Sequence, residues 1–125
     1  MLVGTTTVEN LLRVARSDAA AGTAFAALLA EGRPPQIVAV PPPGTSEGLS
    51  SDELGELVHL ASSDPEFLHA RVFVRSVLMG RALTLAVAPL RDGIGRSMIG
   101  VVAESGRTFE PPQLGVLEQL AQRLV

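Results

Sequence analysis

Two long apolar runs near the C-terminus, separated by a glycine-containing turn and followed by a proline-started helix, restrict this chain to a small set of folds. The first run is Ala82-Leu83-Thr84-Leu85-Ala86-Val87-Ala88-Pro89-Leu90, and the second is Ser97-Met98-Ile99-Gly100-Val101-Val102-Ala103-Glu104. Between them stands Arg91-Asp92-Gly93-Ile94-Gly95. Its glycines suit a hairpin turn; a dinucleotide fingerprint would be longer and would lie between a strand and a helix. Residues 72–78 read as a further strand, with Arg71, Phe73, Arg75 and Val77 on one face and Gly80 at the following turn. Consecutive strands of this kind imply hairpins and an antiparallel sheet.

The helix after the second run can be read residue by residue. Glu110 is the expected N-cap, and Pro111 takes the first helical position, where a missing N–H costs nothing. Gln113 occupies the capping-box position, and Phe109 and Leu114 the two positions of a hydrophobic staple. Leu114, Leu117, Ala121 and Leu124 then repeat at the 3-4-3 spacing of a coiled-coil seam, widened by Val116, Leu120 and Val125. Two readings of this seam stand side by side. It packs onto its own sheet, or one edge meets the same helix of a second subunit, which makes Leu114, Leu117, Ala121 and Leu124 the candidate dimer interface. An apolar helix that runs to Val125 also suggests a chain cut from a longer protein.

Earlier in the chain, Val8, Leu11, Leu12, Ala15 and Ala19 recur with a helical period. Ala24, Phe25, Leu28 and Leu29 continue it, so helix is expected as far as Gly32, kinked or divided at Gly22-Thr23. Pro34-Pro35 ends it, residues 36–40 read as a short buried strand, and Pro41-Pro42-Pro43-Gly44 opens a loop. Ser51-Asp52-Glu53-Leu54 starts a second helix with apolar positions Leu54, Leu57, Val58, Leu60 and Ala61. The expected order is helix, strand, loop, helix, three strands and helix. That makes an α+β domain, an antiparallel β-sheet with helices packed on it, spanning residues 1–125.

Composition limits the chemistry. The chain has 125 residues, 46% of them hydrophobic, which suffices for a packed core. Its net charge of −3 argues against a nucleic-acid footprint, which would show as a basic stripe. All ten basic residues are Arg, a bias of GC-rich genomes, so no lysine nucleophile or P-loop lysine is possible. With no Cys there is no thiol nucleophile, thiolate metal site or disulfide. Four Phe and no Tyr or Trp leave no stacking platform for bases. The N-terminus lacks the basic and apolar regions of a signal peptide, and the longest apolar run falls far short of the roughly 20 residues of a membrane span. A cytoplasmic protein without membrane or nucleic-acid partners is expected.

Several of these segments together resemble the GAF domain family, the small sensory modules of phosphodiesterases, phytochromes and bacterial sensor kinases. The resemblance rests on Val87-Ala88-Pro89-Leu90-Arg91-Asp92-Gly93, Ile99-Gly100-Val101-Val102, Arg107-Thr108-Phe109-Glu110-Pro111 and the closing helix from Leu114 to Leu124. Leu11-Leu12-Arg13-Val14-Ala15 is similar to the family's first helix. Its specific part covers about the last third of the chain, while residues 41–78, where such domains build their pocket, match no known pattern. A GAF/PAS-like sandwich is implied, with a bacterial signal-transduction or transcription-control role. The family's Cys-dependent chemistries and its Asn-Lys-Phe-Asp-Glu cyclic-nucleotide pattern are missing here.

What remains is non-catalytic. His59, His69, Arg71, Phe73 and Arg75 are the candidate ligand-binding residues. The histidines, with Met79, are of the types that ligate haem, and Arg71 and Arg75, with Arg81 nearby, are of the type that holds a phosphate or carboxylate. Ten residues apart and without a carboxylate cluster, the histidines fit surface positions better, so neither metal nor cofactor is expected. Ser62 or Ser63, His59 and Asp64 form a triad only on paper, lacking a nucleophile elbow. The leading expectation is a sensor that binds a small molecule between the sheet and residues 41–78 and relays it through terminal helices to a fused or partner output domain. The alternative is a ligand-free module for dimerisation or partner docking, which could also involve residues 2–12. A related sandwich of the PAS or roadblock kind, serving a signalling complex or a GTPase, is the third.

Overall fold

A computed structural model describes residues 5–18, 22–28, 36–40, 49–64, 72–78, 82–90, 97–104 and 109–123. They form helix α1 (Thr5–Asp18), strands β1 (Thr23–Leu28) and β2 (Gln36–Val40), and helix α2 (Ser51–Ser63). Strands β3 (Phe73–Leu78), β4 (Ala82–Pro89) and β5 (Met98–Glu104) and helix α3 (Pro111–Arg123) follow. The strands make one five-stranded sheet in the order β2-β1-β5-β4-β3, every neighbouring pair antiparallel. This is the α+β architecture expected, with one strand more.

The extra strand is β1, and it corrects the reading of residues 24–29 as helix. Ala24, Phe25 and Leu28 do fall at helical spacing, but Thr23–Leu28 is a short run of almost entirely buried residues in the interior of the sheet. A strand covered on both faces is apolar at every position, and its pattern is then indistinguishable from that of a buried helix turn. Pairing decides between them: β1 hydrogen-bonds to β2 on one side and β5 on the other, and the backbone N–H of Gly22 donates to the Val102 carbonyl (3.0 Å).

Both faces of the sheet are covered, which explains the continuous apolar runs of β1, β4 and β5. Helices α1 and α3 lie side by side on one face, α1 over β1 and β2, α3 over β4 and β5. Beneath them the sheet presents Ala24, Ala26, Ala86 and Ala88 beside Ile99 and Val101. Helix α2 supplies Leu54, Leu57, Val58 and Ala61 to the other face, where the sheet carries Phe25, Leu83, Leu85, Val87, Met98 and Val102. Small side chains form the floor under two adjacent helices, and large ones fill the face that has a single helix.

At the centre of the α2 face, Gly100 of β5 is registered with Phe25 on one side and Val87 on the other. A Cβ on Gly100 would lie 2.6 Å from Cζ of Phe25 and 2.7 Å from Cγ1 of Val87. Phe25, the largest fully buried side chain described, thus occupies the space a side chain at residue 100 would need. Gly100→Ala is expected to lower stability by roughly 1–3 kcal/mol through overpacking, read from the urea denaturation midpoint. In a chain already carrying Phe25→Leu, the same substitution should cost clearly less.

Candidate functional site

Helix α2 is set at its start by a reciprocal capping box. The Ser50 hydroxyl accepts from the Glu53 N–H (3.1 Å), and a Glu53 carboxylate oxygen accepts from the Ser50 N–H (3.0 Å). Leu49 and Leu54 stand at the two positions of a hydrophobic staple and are buried in the same cluster. Asp52 and Glu53 place negative charge in the first turn, at the positive end of the helix dipole. The helix stops at Asp64, whose extended backbone leaves the helical path.

These constraints direct Leu54, Leu57, Val58 and Ala61 into the core and leave His59 and Leu60 exposed. Opposite the end of α2 runs β3, the outermost strand of the sheet on that side. Between them lies a cleft of about 280 Å³, walled by Leu60, Ala61 and Asp64 on one side and Arg75, Ser76, Val77 and Leu78 on the other, with Leu85 also lining it. The register of β3 with β4 sets Arg75 and Val77 on the face of Leu83 and Leu85, the α2 face. Arg75 accordingly meets Asp64, its Nη2 3.4 Å from Oδ2, and its Nη1 donates to the Val74 carbonyl (3.3 Å).

The same alternation turns Val74, Ser76 and Leu78 to the face of α1 and α3, whose packing is against the other four strands. Leu78 is 81% exposed and Val74 39%, while Leu60 across the cleft is 48% exposed. Apart from Val14 on α1, these are the exposed large hydrophobic residues among those described. Exposed apolar side chains therefore flank the outer strand on both faces, Leu60 on the α2 side and Val74 and Leu78 on the other. Leu60 falls outside the inward set of Leu54, Leu57, Val58 and Ala61, and this offset was the available signal in the sequence. Nothing local in Val74-Arg75-Ser76-Val77-Leu78 says that the strand is outermost.

Of the ligand-binding candidates, Arg75 lines the cleft and His59 sits exposed on α2. Phe73 opens β3 opposite Val87. His69, Arg71, Met79 and Arg81 lie outside the described residues. The Ser62 hydroxyl donates to the backbone carbonyl of His59 (3.2 Å), a helix-internal bond that involves no imidazole nitrogen. Among the described residues no three His, Asp or Glu side chains are grouped so as to hold a metal ion. No described helix is long and apolar enough to cross a membrane.

The seam of α3 faces inward. Leu117 and Ala121, with Leu120, are buried in the cluster shared with α1 and the sheet, and Leu114 packs at its margin. Leu124 is outside the described residues. Of the two readings of the seam, packing onto its own sheet describes Leu117 and Ala121, which keep almost no surface for a second subunit. The start of α3 follows the sequence closely: the Glu110 N–H donates to Gln113 Oε1 (2.8 Å), and Gln113 Nε2 donates on to the Asp18 carbonyl at the end of α1 (3.3 Å).

Comparison with models of protein families, with curated proteins and with solved structures finds no match.

Both partners of the Arg75–Asp64 pair keep contact with water, with side chains 43% and 25% exposed. Solvent screening limits such a pair to about 1 kcal/mol or less. Asp64→Asn should therefore shift the urea midpoint by less than that amount, with a smaller shift still in 1 M salt.

Proposed function

We propose that this chain is a non-catalytic, GAF-like regulatory module whose working surface is the junction of α2 and β3, a docking site for a protein partner. The observation that carries this reading is the apolar exposure around β3: Leu60 on the helix beside one face of the strand, Val74 and Leu78 on the other. Exposed apolar groups that cluster around a sheet edge mark interaction surfaces more readily than scattered ones. A strand edge also offers backbone donors and acceptors to a partner, which supply affinity while side-chain pockets supply selectivity.

The interior between α2 and the sheet supports docking over enclosed ligand binding. Leu49, Leu54, Leu57, Val58 and Ala61 pack against Phe25, Leu85, Val87, Met98 and Val102. Among the described residues that layer is apolar. A sensory role keeps one specific support: the α2–β3 cleft, whose about 280 Å³ approaches the lower end of ligand pockets, roughly 300 Å³. With Arg75 and Asp64 on its walls, its ligand would be a small molecule with both an apolar body and a polar end. In either case the output is a fused or partner domain.

The test is the size of the full chain in extracts of the cells that produce it. On the docking reading the wild-type chain migrates above its single-chain mass, and Leu60→Glu with Leu78→Glu returns it to that mass. Both positions are exposed, so the thermal midpoint of the double variant should stay close to wild type. A wild-type chain that migrates alone contradicts the docking reading. A stoichiometric small-molecule adduct in native mass spectra of the purified chain would favour the sensory one.

A further inference from the structure

The two outer strands of the sheet are guarded very differently. Strand β2 is flanked in sequence by Pro34-Pro35 on one side and Pro41-Pro42-Pro43 on the other. Proline removes a backbone donor, and placing it beside an edge is a common way to prevent a further strand from adding. Strand β3 contains no proline and no glycine, and its one charged residue, Arg75, is turned to Asp64 on the α2 face. On its other face stand Val74, Ser76 and Leu78, beyond the packing of α1 and α3. Among the described residues, then, the β2 edge has prolines next to it in the sequence at both ends, and β3 carries no such guard.

An added strand must also match the side chains of β3, and β3 matches itself. We propose that the docking partner is a second copy of this chain, whose β3 pairs antiparallel with β3 about a two-fold axis at Ser76, joining the two sheets into one. The inference rests on the docking reading above. A two-fold axis perpendicular to a sheet keeps each face on its own side, so only registers that set a residue opposite one of like parity are allowed. An axis at Arg75 would oppose two like charges, which destabilises a cross-strand pair. An axis at Val74 or at Val77 pushes Leu78 or Val74, respectively, past the end of the partner strand. The Ser76 register alone sets Val74 opposite Leu78 twice, and places the small hydroxyl side chain at the axis. On the other face it sets Arg75 beside Val77 and brings the two α2–β3 clefts, with their exposed Leu60 side chains, to the same junction.

Because the natural chain has no Cys, single cysteines test this register without background. Directly opposed residues of an antiparallel pair have Cα atoms about 4.5–5.5 Å apart, within the span of a disulfide. Ser76→Cys in the full chain should therefore give an oxidised, covalently linked dimer. Leu78→Cys alone, about 14 Å along the strand from its own copy at 3.4 Å per residue, should not link. Val74→Cys together with Leu78→Cys should link. Light scattering on the purified wild-type chain should give twice the single-chain mass, and Leu78→Glu should halve it. A single-chain mass for purified wild type overturns self-pairing, as does linkage of Leu78→Cys with Ser76→Cys left unlinked. A chain that is single when purified but larger in cell extracts overturns the second copy as partner and leaves docking in place; one that is single in both sinks the two together.

Discussion

The ring of Phe25 lies where a side chain at residue 100 would have to be, and the sheet can close around its central strands only because Gly100 has none. Strand β5 sits between β1 and β4 and pairs with both along most of its length. Any group on Gly100 would push apart the two strands that flank it, or displace the ring into the layer beneath α2. Packed interiors have no spare volume for either move. The position of α2 depends in turn on this arrangement, since its Leu54, Leu57 and Val58 rest in the same cluster as Phe25 and Val87.

From that centre outward, side-chain size assigns the helices to faces. The alanines of β1 and β4 leave a shallow floor on which α1 and α3 lie together, tied at one end by Gln113. The larger residues of the opposite face pack against α2. Two helices over four strands and one helix on the reverse side leave the fifth strand, β3, at the margin. The exposed Leu78 and Val74 follow from this geometry. They are apolar residues on the outer strand, beside the four strands against which α1 and α3 pack most closely.

Much of the candidate site was legible only in pieces. The capping box of α2 and the alternation of β3 could be read locally, and both Arg75 and the apolar positions of α2 were identified. What periodicity could not supply was the neighbour of each face. Leu117 and Ala121 carry the spacing of a seam whether they meet their own sheet or a second subunit, and burial places them on the sheet. Leu60 is marked only by its offset from the inward positions of α2, and Val74 and Leu78 carry no special pattern, yet all three are exposed. The proposed interaction surface is accordingly the junction of α2 and β3 rather than α3.

The sequence by itself determined the features that depend on near neighbours. These are the antiparallel run of β3, β4 and β5, the proline-led start of α3 with its Gln113 cap, and the absence of lysine and cysteine chemistry. The tertiary structure decided that Thr23–Leu28 is a strand, that Leu117 and Ala121 of the α3 seam are buried, and that β3 is the outermost strand described. The reason is range. Caps, turns and spacings act over a few residues, whereas strand order and burial are set by partners far along the chain. Phe25 and Gly100 make that difference plain: neither residue's environment is visible until the strands that carry them are side by side.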